Sequence, residues 1–362
     1  MSRQMILVIQ TAFLGDVLLT IPFLKSLRTF YPGAHLSFLA RRAVAQPLLE
    51  LGLIDQLYEI DKGQGASYGA VRNQIPPAVD LVFAVHESFR TKIFVSQLSA
   101  RCKIGFEGFL SGWIFDECVE KPRKFPEVFR VLSLLQNCQP KFWSEVLDKV
   151  KIQSPYGLDE AMKLNFPVES YSMGLREQIH KVFEKSLGDR QEIGKIRSHQ
   201  RCVLVFPGSV WATKRWTVEG FKMIIERLSE KYQVFLMGSR TEHNLCQEVK
   251  GQSLAINLAG QTSLMQTLFW MIQSNLVIGN DSGSAHLASV AEVPSLTIFG
   301  PTILEFGYRP WSNQATIIQP SQLACRPCGP HGHRQCPLGT HECMKSISPE
   351  RVLQAAVNLL EP

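Results

Sequence analysis

Two stretches decide the fold. One is Met5-Ile-Leu-Val-Ile-Gln-Thr-Ala-Phe-Leu-Gly15-Asp16, and the other, far along the chain, is Leu276-Val-Ile-Gly-Asn-Asp281-Ser-Gly-Ser-Ala-His286. In each, a short apolar run breaks at Gly and Asp and gives way to the start of a helix. This is the junction at which an α/β sheet presents ligand-binding groups. Two such junctions in separate halves predict two sheets and two substrates meeting in a cleft.

Outward from the first junction, β-rich runs recur at Leu36 to Ala40, Gln56 to Ile60, Leu81 to Val85 and Cys102 to Phe106. Segments with helical spacing separate them, such as Val17, Ile21, Leu24 and Leu27, so the pattern is that of βαβ units in a parallel sheet. Pro22 allows two readings of the first helix: it starts near Thr20, where proline suits an opening turn, or it starts at Gly15 and kinks. The polar, charged stretch Gln178 to Gln200 has no strand signal and reads as a boundary. Beyond it the alternation restarts at Cys202 to Phe206, Val234 to Met237, Ala255 to Leu258, Leu276 to Ile278 and Ser295 to Phe299, with helices expected over 217–231, 241–250, 263–273 and 283–291. The expected organisation is a doubly wound domain over 1–177, a linker over 178–200, a second doubly wound domain over 201–348 and a terminal helix within 349–362.

A chain of 362 residues exceeds the size at which one core keeps growing, which agrees with two domains. With 45% apolar and 19% charged residues it reads as an ordinary globular protein. The net charge of +6 suits an anionic ligand, but the Lys and Arg are scattered, which disfavours nucleic acid as a partner. No apolar run is long enough for a signal peptide or a spanning helix, so a cytosolic location is expected. Nine Cys there should be mainly reduced, and an odd count argues against a complete disulfide framework.

The second half carries the stronger chemistry. In Asn280-Asp281-Ser282-Gly283-Ser-Ala-His286, small residues let a ligand approach the backbone while a helix start offers free N–H groups, which together favour a phosphate. His286 either donates to that anion or is a buried core histidine, and Asp281 either serves the site or caps the helix. Pro207-Gly208-Ser209 to Lys214-Arg215-Trp216 also leaves a strand, giving a phosphate-sized turn at Ser209 and a cation at Lys214; the alternative is a solvated lysine in a surface loop. In Gly238-Ser239-Arg240-Thr241-Glu242, the carboxylate of Glu242 either reaches ribose hydroxyls or is a helix-start acid. Asp16 either accepts the proton of an acceptor hydroxyl or is a helix cap. No Gly-x-Gly-x-x-Gly follows these strands and there is no Gly-Lys-Ser/Thr loop, which disfavours dinucleotide oxidoreduction and Walker-type hydrolysis.

Taken together, these motifs resemble the heptosyltransferases of Gram-negative bacteria, glycosyltransferase family 9, and most closely the heptosyltransferase II branch. The resemblance rests on Leu14-Gly15-Asp16-Val17, the Pro207 to Trp216 loop, Gly238-Ser239, Asn257-Leu-Ala-Gly260, Gly279 to His286, and the closing Cys325-Arg-Pro-Cys328 and Cys336-Pro-Leu-Gly segments. It implies a GT-B fold, two Rossmann-like domains facing a central cleft. It also implies inverting transfer of heptose from ADP-heptose, the donor, to the lipopolysaccharide inner core, a lipid A-core acceptor at the inner membrane, with no cofactor. By position, Asp16 would be the base; Ser209 and Lys214 would contact the donor phosphates; Glu242 would face the nucleoside; and Asp281, Ser282, Gly283 and His286 would hold diphosphate and sugar. Many members of the family carry Arg at the position of Gln10 and a Ser-rich turn at Thr11-Ala12-Phe13, so this chain departs from the family pattern there; the acceptor-binding residues stay open, with Thr11 and Gly15 as candidates.

Other readings stay open on the residues alone: a GT-B transferase with another nucleotide sugar, a sugar-nucleotide epimerase, or a non-catalytic module binding zinc and nucleic acid. Cys325, Cys328, Cys336 and Cys343, with His331, His333 and His341 nearby, match zinc spacing only in the first pair. The aromatic run Phe106 to Phe115, followed by Lys121, Arg123 and Lys124, either packs in the core, the commoner fate, or rests on a membrane leaflet.

Overall fold

The structure is a computed structural model that describes residues 3–61, 67–149, 174–186 and 200–361. The chain divides into two compact units, residues 1–173 and 174–362. The first holds the strands β1 (Met5–Ile9), β2 (His35–Arg41), β3 (Gln56–Ile60), β4 (Val79–Ala84), β5 (Ala100–Phe106) and β6 (Glu117–Val119), all paired in parallel in the order β3-β2-β1-β4-β5-β6. The second holds β7 (Cys202–Phe206), β8 (Gln233–Leu236), β9 (Ile256–Asn257), β10 (Leu276–Asn280), β11 (Ser295–Ile298) and β12 (Ala315–Ile318), also all parallel, in the order β9-β8-β7-β10-β11-β12. Each unit thus follows the same Rossmann order. Strand addition reverses between β1 and β4 in one and between β7 and β10 in the other, and a crevice opens beyond the carboxyl ends of the strands at such a reversal.

The central strands are continuous apolar runs because helices cover both faces of a parallel sheet. Ile6 to Ile9 and Cys202 to Phe206 are buried without a polar interruption. The two strands the sequence reading lacks, β6 and β12, lie at sheet edges, where partial exposure weakens the apolar signal. The first helix settles between the two readings of Pro22. A helix over Leu14–Leu19 stops at Thr20, and a second, Ile21–Phe30, starts there with Pro22 in its first turn, where a missing N–H costs nothing.

The helix Leu175–Ser186 starts before the expected linker and belongs to the second unit. Leu175, Ile179 and Phe183 form its buried stripe, Phe183 stacks on Phe269, and Arg176 donates to the Ile272 carbonyl at 2.8 Å. Residues 187–199 of that expected linker lie outside the described residues. The terminal helix Pro349–Leu360, capped by Ser348, is likewise part of the second core, to which it gives Val352, Ala356 and Leu360.

Candidate functional site

In the second unit, the loops after β7 and β10 meet at the reversal, and Asn280 joins them. Its fully buried amide donates to the carbonyls of Pro207 at 2.8 Å and Gly208 at 3.3 Å, and accepts from the Trp216 N–H at 2.9 Å. One side chain therefore fixes both ends of the loop that carries Lys214. Within this loop, Arg215 donates to the carbonyl of the buried Ser209 at 2.9 Å. The Lys214 ammonium lies 2.5 Å from Asp281 Oδ2, which also accepts from Thr302 Oγ1 at 2.6 Å. Lys214 and Asp281 are 12% and 7% exposed, so the ammonium is no solvated surface charge. Through Oδ2 the Asp281 carboxylate thus holds the Lys214 ammonium in place, with Thr302 fixing the carboxylate in turn.

The helix Gly283–Val290 starts beside this pair without a side-chain cap. Ser282 Oγ turns to Ser284 Oγ, 2.9 Å away, which leaves the first-turn N–H groups at Gly283 to an anion. His286 follows in that helix. Burial, opposed by the Asp281 charge and helped by that of Lys214, pushes its imidazole down to about 4, so the ring is neutral at pH 7. Its Nδ1 is buried without a hydrogen-bond partner, an arrangement proteins seldom tolerate without a reason.

Glu242 is half-buried, and Oε2 accepts from Ser239 N at 2.8 Å and Ser239 Oγ at 2.7 Å, the capping arrangement of the two readings. It also lies beneath the β7 loop: a Cβ on Gly208 would meet Glu242 Oε1 at 1.8 Å, so glycine alone passes over the carboxylate. Gly260 closes the neighbouring turn at φ +78°, its N–H on the Gly238 carbonyl at 2.9 Å, which gives the Asn257-to-Gly260 motif a backbone reason.

The Cys-rich segment braces the lysine loop. Thr213 Oγ1 donates to the His333 carbonyl at 2.7 Å and accepts from the His333 N–H at 2.8 Å; His341 Nε2 lies 2.8 Å from the Thr213 carbonyl, and His331 stacks on Trp211. Cys325, Cys328, Cys336 and Cys343 line one small pocket with Pro301 and Arg326. Among the described residues, no three His, Cys, Asp or Glu side chains are grouped to hold a metal ion, and the histidines here act on the loop. Asn280, Thr302, Thr213 and His341 are absent from the sequence-based site. Asn280 and Thr213 lie inside the quoted motifs and His341 was named beside the cysteines, whereas Thr302 left no signal.

In the first unit, β1 and β4 bring Thr11 and His86 together. Thr11 Oγ1 lies 2.8 Å from His86 Nδ1 and 3.4 Å from Thr91 Oγ1, and Thr11 is fully buried. The Thr11 hydroxyl is thus engaged inside the unit, against His86 and Thr91. Gly15 and Asp16 lie in the first turn of the helix Leu14–Leu19, where the half-buried Asp16 accepts the Phe13 N–H at 3.1 Å through Oδ2. Capping and proton acceptance are compatible, because a carboxylate has two oxygens and about four lone-pair sites.

Comparison with known proteins agrees with this frame. Residues 73–340 match the model of Glycosyltransferase family 9 (heptosyltransferase). Lipooligosaccharide heptosyltransferase 2 of Campylobacter jejuni is 32% identical over 173 residues, 46% of this chain and 53% of that protein, so the match spans about half its length. Lipopolysaccharide heptosyltransferase 2 of Escherichia coli K12 is 25% identical over 98% of both chains. The solved family 9 glycosyl transferase of Veillonella parvula superposes with a TM-score of 0.75 at 23% identity, over 99% of this chain and 98% of the other. With its two Rossmann-like units of the GT-B type, the chain belongs to glycosyltransferase family 9, the heptosyltransferases.

Proposed function

We propose that the protein transfers heptose from ADP-heptose to the inner core of a lipopolysaccharide, with inversion and without a cofactor. The observation that carries the reading is the Lys214 ammonium, held by Asp281 and Thr302 beside the uncapped helix start at Ser282 and Gly283. A cation fixed next to free backbone donors stabilises the charge that builds on a departing diphosphate. The family relationship supports the choice of ADP-heptose over other donors.

In this reading Asp16 takes the proton of the acceptor hydroxyl as its oxygen bonds to the anomeric carbon. The bond to the ADP oxygen breaks on the opposite face, and no protein nucleophile is needed. Lys214, Ser209 and the N–H groups at Gly283 receive the diphosphate, Glu242 faces the nucleoside, and the neutral His286 offers a hydrogen bond to phosphate or sugar. Because such an acceptor is lipid-linked, the protein works at the cytoplasmic face of the inner membrane as a peripheral visitor; no helix among the described residues is long and apolar enough to cross a membrane.

The test is product analysis by mass spectrometry with ADP-heptose and defined core acceptors. One added heptose on a heptose-bearing core is the expected result. Transfer from a UDP- or GDP-sugar in place of ADP-heptose overturns the donor assignment.

A further inference from the structure

Among the described residues of the first unit, seven large apolar side chains are exposed, and six follow the carboxyl ends of neighbouring strands; Leu147 alone lies elsewhere. Phe13 follows β1, Phe89 and Ile93 follow β4 on the helix Phe89–Ser96, and Phe109, Leu110 and Trp113 follow β5. Single exposed apolar residues are ordinary, whereas a set gathered on one edge marks a surface that meets something. The aromatic run Phe106 to Phe115 accordingly divides: Phe106 and Phe115 pack in the core, while Phe109 is 79% and Trp113 92% exposed.

The turn that carries these two rings is braced. Ser111 Oγ accepts from Gly108 N at 3.0 Å and donates to the Gly108 carbonyl at 2.8 Å, and Lys92 Nζ donates to the Phe109 carbonyl at 2.9 Å, tying the turn to the helix Phe89–Ser96. Phe109 and Trp113 therefore project from a fixed support. Small-molecule sites are concave, and rings this exposed form no wall of one. Projecting aromatics beside cations suit the interfacial zone of a bilayer, where Trp is enriched and basic residues are drawn to anionic headgroups. The cations are present: Arg90 is exposed between Phe89 and Ile93, and after β6 the same edge continues into exposed Arg123 and Lys124, against the exposed acids Glu107 and Glu120. Glu87, on this edge too, is paired with Lys121 at 2.6 Å.

We propose that the carboxyl edge of the first unit docks on an anionic lipid bilayer, with Phe109 and Trp113 entering the interface. The purpose of docking, presenting a glycolipid to Asp16, rests on the transfer reading above; the docking does not.

The experiment is flotation of the full chain with vesicles of phosphatidylethanolamine and phosphatidylglycerol, against phosphatidylcholine alone, without donor or acceptor. The chain should float with the anionic vesicles, and Phe109→Ser/Trp113→Ser should lower the bound fraction about tenfold or more at unchanged melting temperature, since both rings are exposed. A wild-type chain that stays in solution overturns the proposal, as does a double variant that floats as well as the wild type. A dimer in sedimentation that the double variant dissolves assigns the surface to a second copy and overturns it as well. Flotation with a negative product assay refutes only the transfer reading; transfer without flotation refutes only the docking.

Discussion

The two units share one strand order, yet the edges on which their strands end have opposite chemistry. In the second unit the edge gathers a fixed ammonium at Lys214, an uncapped helix start at Gly283 and a neutral imidazole at His286. The first unit has a capped helix start with Asp16 on it, a buried Thr11, His86 and Thr91 cluster, and a rim of exposed aromatic residues. The fold decides where a ligand can be met, and the loops decide what is met. One edge suits an anion that leaves with negative charge; the other suits an amphipathic partner and a proton transfer.

The sharpest way to break this division is at Asp16. Asp16→Asn keeps an oxygen for the Phe13 N–H cap and removes the proposed base, so the transfer rate should fall about a thousandfold while ADP affinity by calorimetry stays within about twofold. A parallel loss of donor affinity would show that the first edge also serves the donor, and the division would fail.

Next in size is a pH effect confined to the second edge. The folded imidazole of His286 titrates at about 4 against an ordinary 6.5. Above about pH 6.5 both folded and unfolded chains carry it neutral. As the pH drops from there toward 4 the unfolded chain takes a proton that the folded one refuses, so stability is lost, by roughly 3 kcal/mol in full. Thermal melts of the wild type should decline across that window, and His286→Asn should flatten the decline. Equal slopes for both proteins would remove His286 from this role.

Much of this was legible in the amino-acid pattern, for physical reasons. β1 and β7 were readable to the residue because strands covered on both faces are unbroken apolar runs, while the edge strand β3 shows an alternating pattern that buries Tyr58 and Ile60. β6 and β12 were not, since these edge strands bury little. The turns at Gly208 and Asp281 could be named, but their internal wiring could not. Asp281 reaches Thr302 and Lys214 across 21 and 67 positions, and Thr213 meets His341 across 128. Pairings at such separation are set by topology and leave no local period. Thr11 shows the converse: a hydroxyl after a strand reads the same whether it faces a ligand or the inside, and its burial against His86 and Thr91 left no mark in the sequence.

The finest test of the second edge concerns what Lys214 is for. Lys214→Met should weaken ADP binding about tenfold, the size of a lost charge-assisted hydrogen bond. That result alone would be ambiguous, because the same substitution strands the Asp281 carboxylate, 7% exposed, with Thr302 alone, and a buried charge stripped of its partner destabilises a fold by itself. Pairing it with Asp281→Asn separates the two causes. The amide can still accept from Thr302 and carries no charge, so the double variant should regain the lost melting temperature yet remain about tenfold weak for ADP. If affinity returns together with stability, Lys214 only holds the loop, and the anion chemistry of this edge then rests on the N–H groups at Gly283.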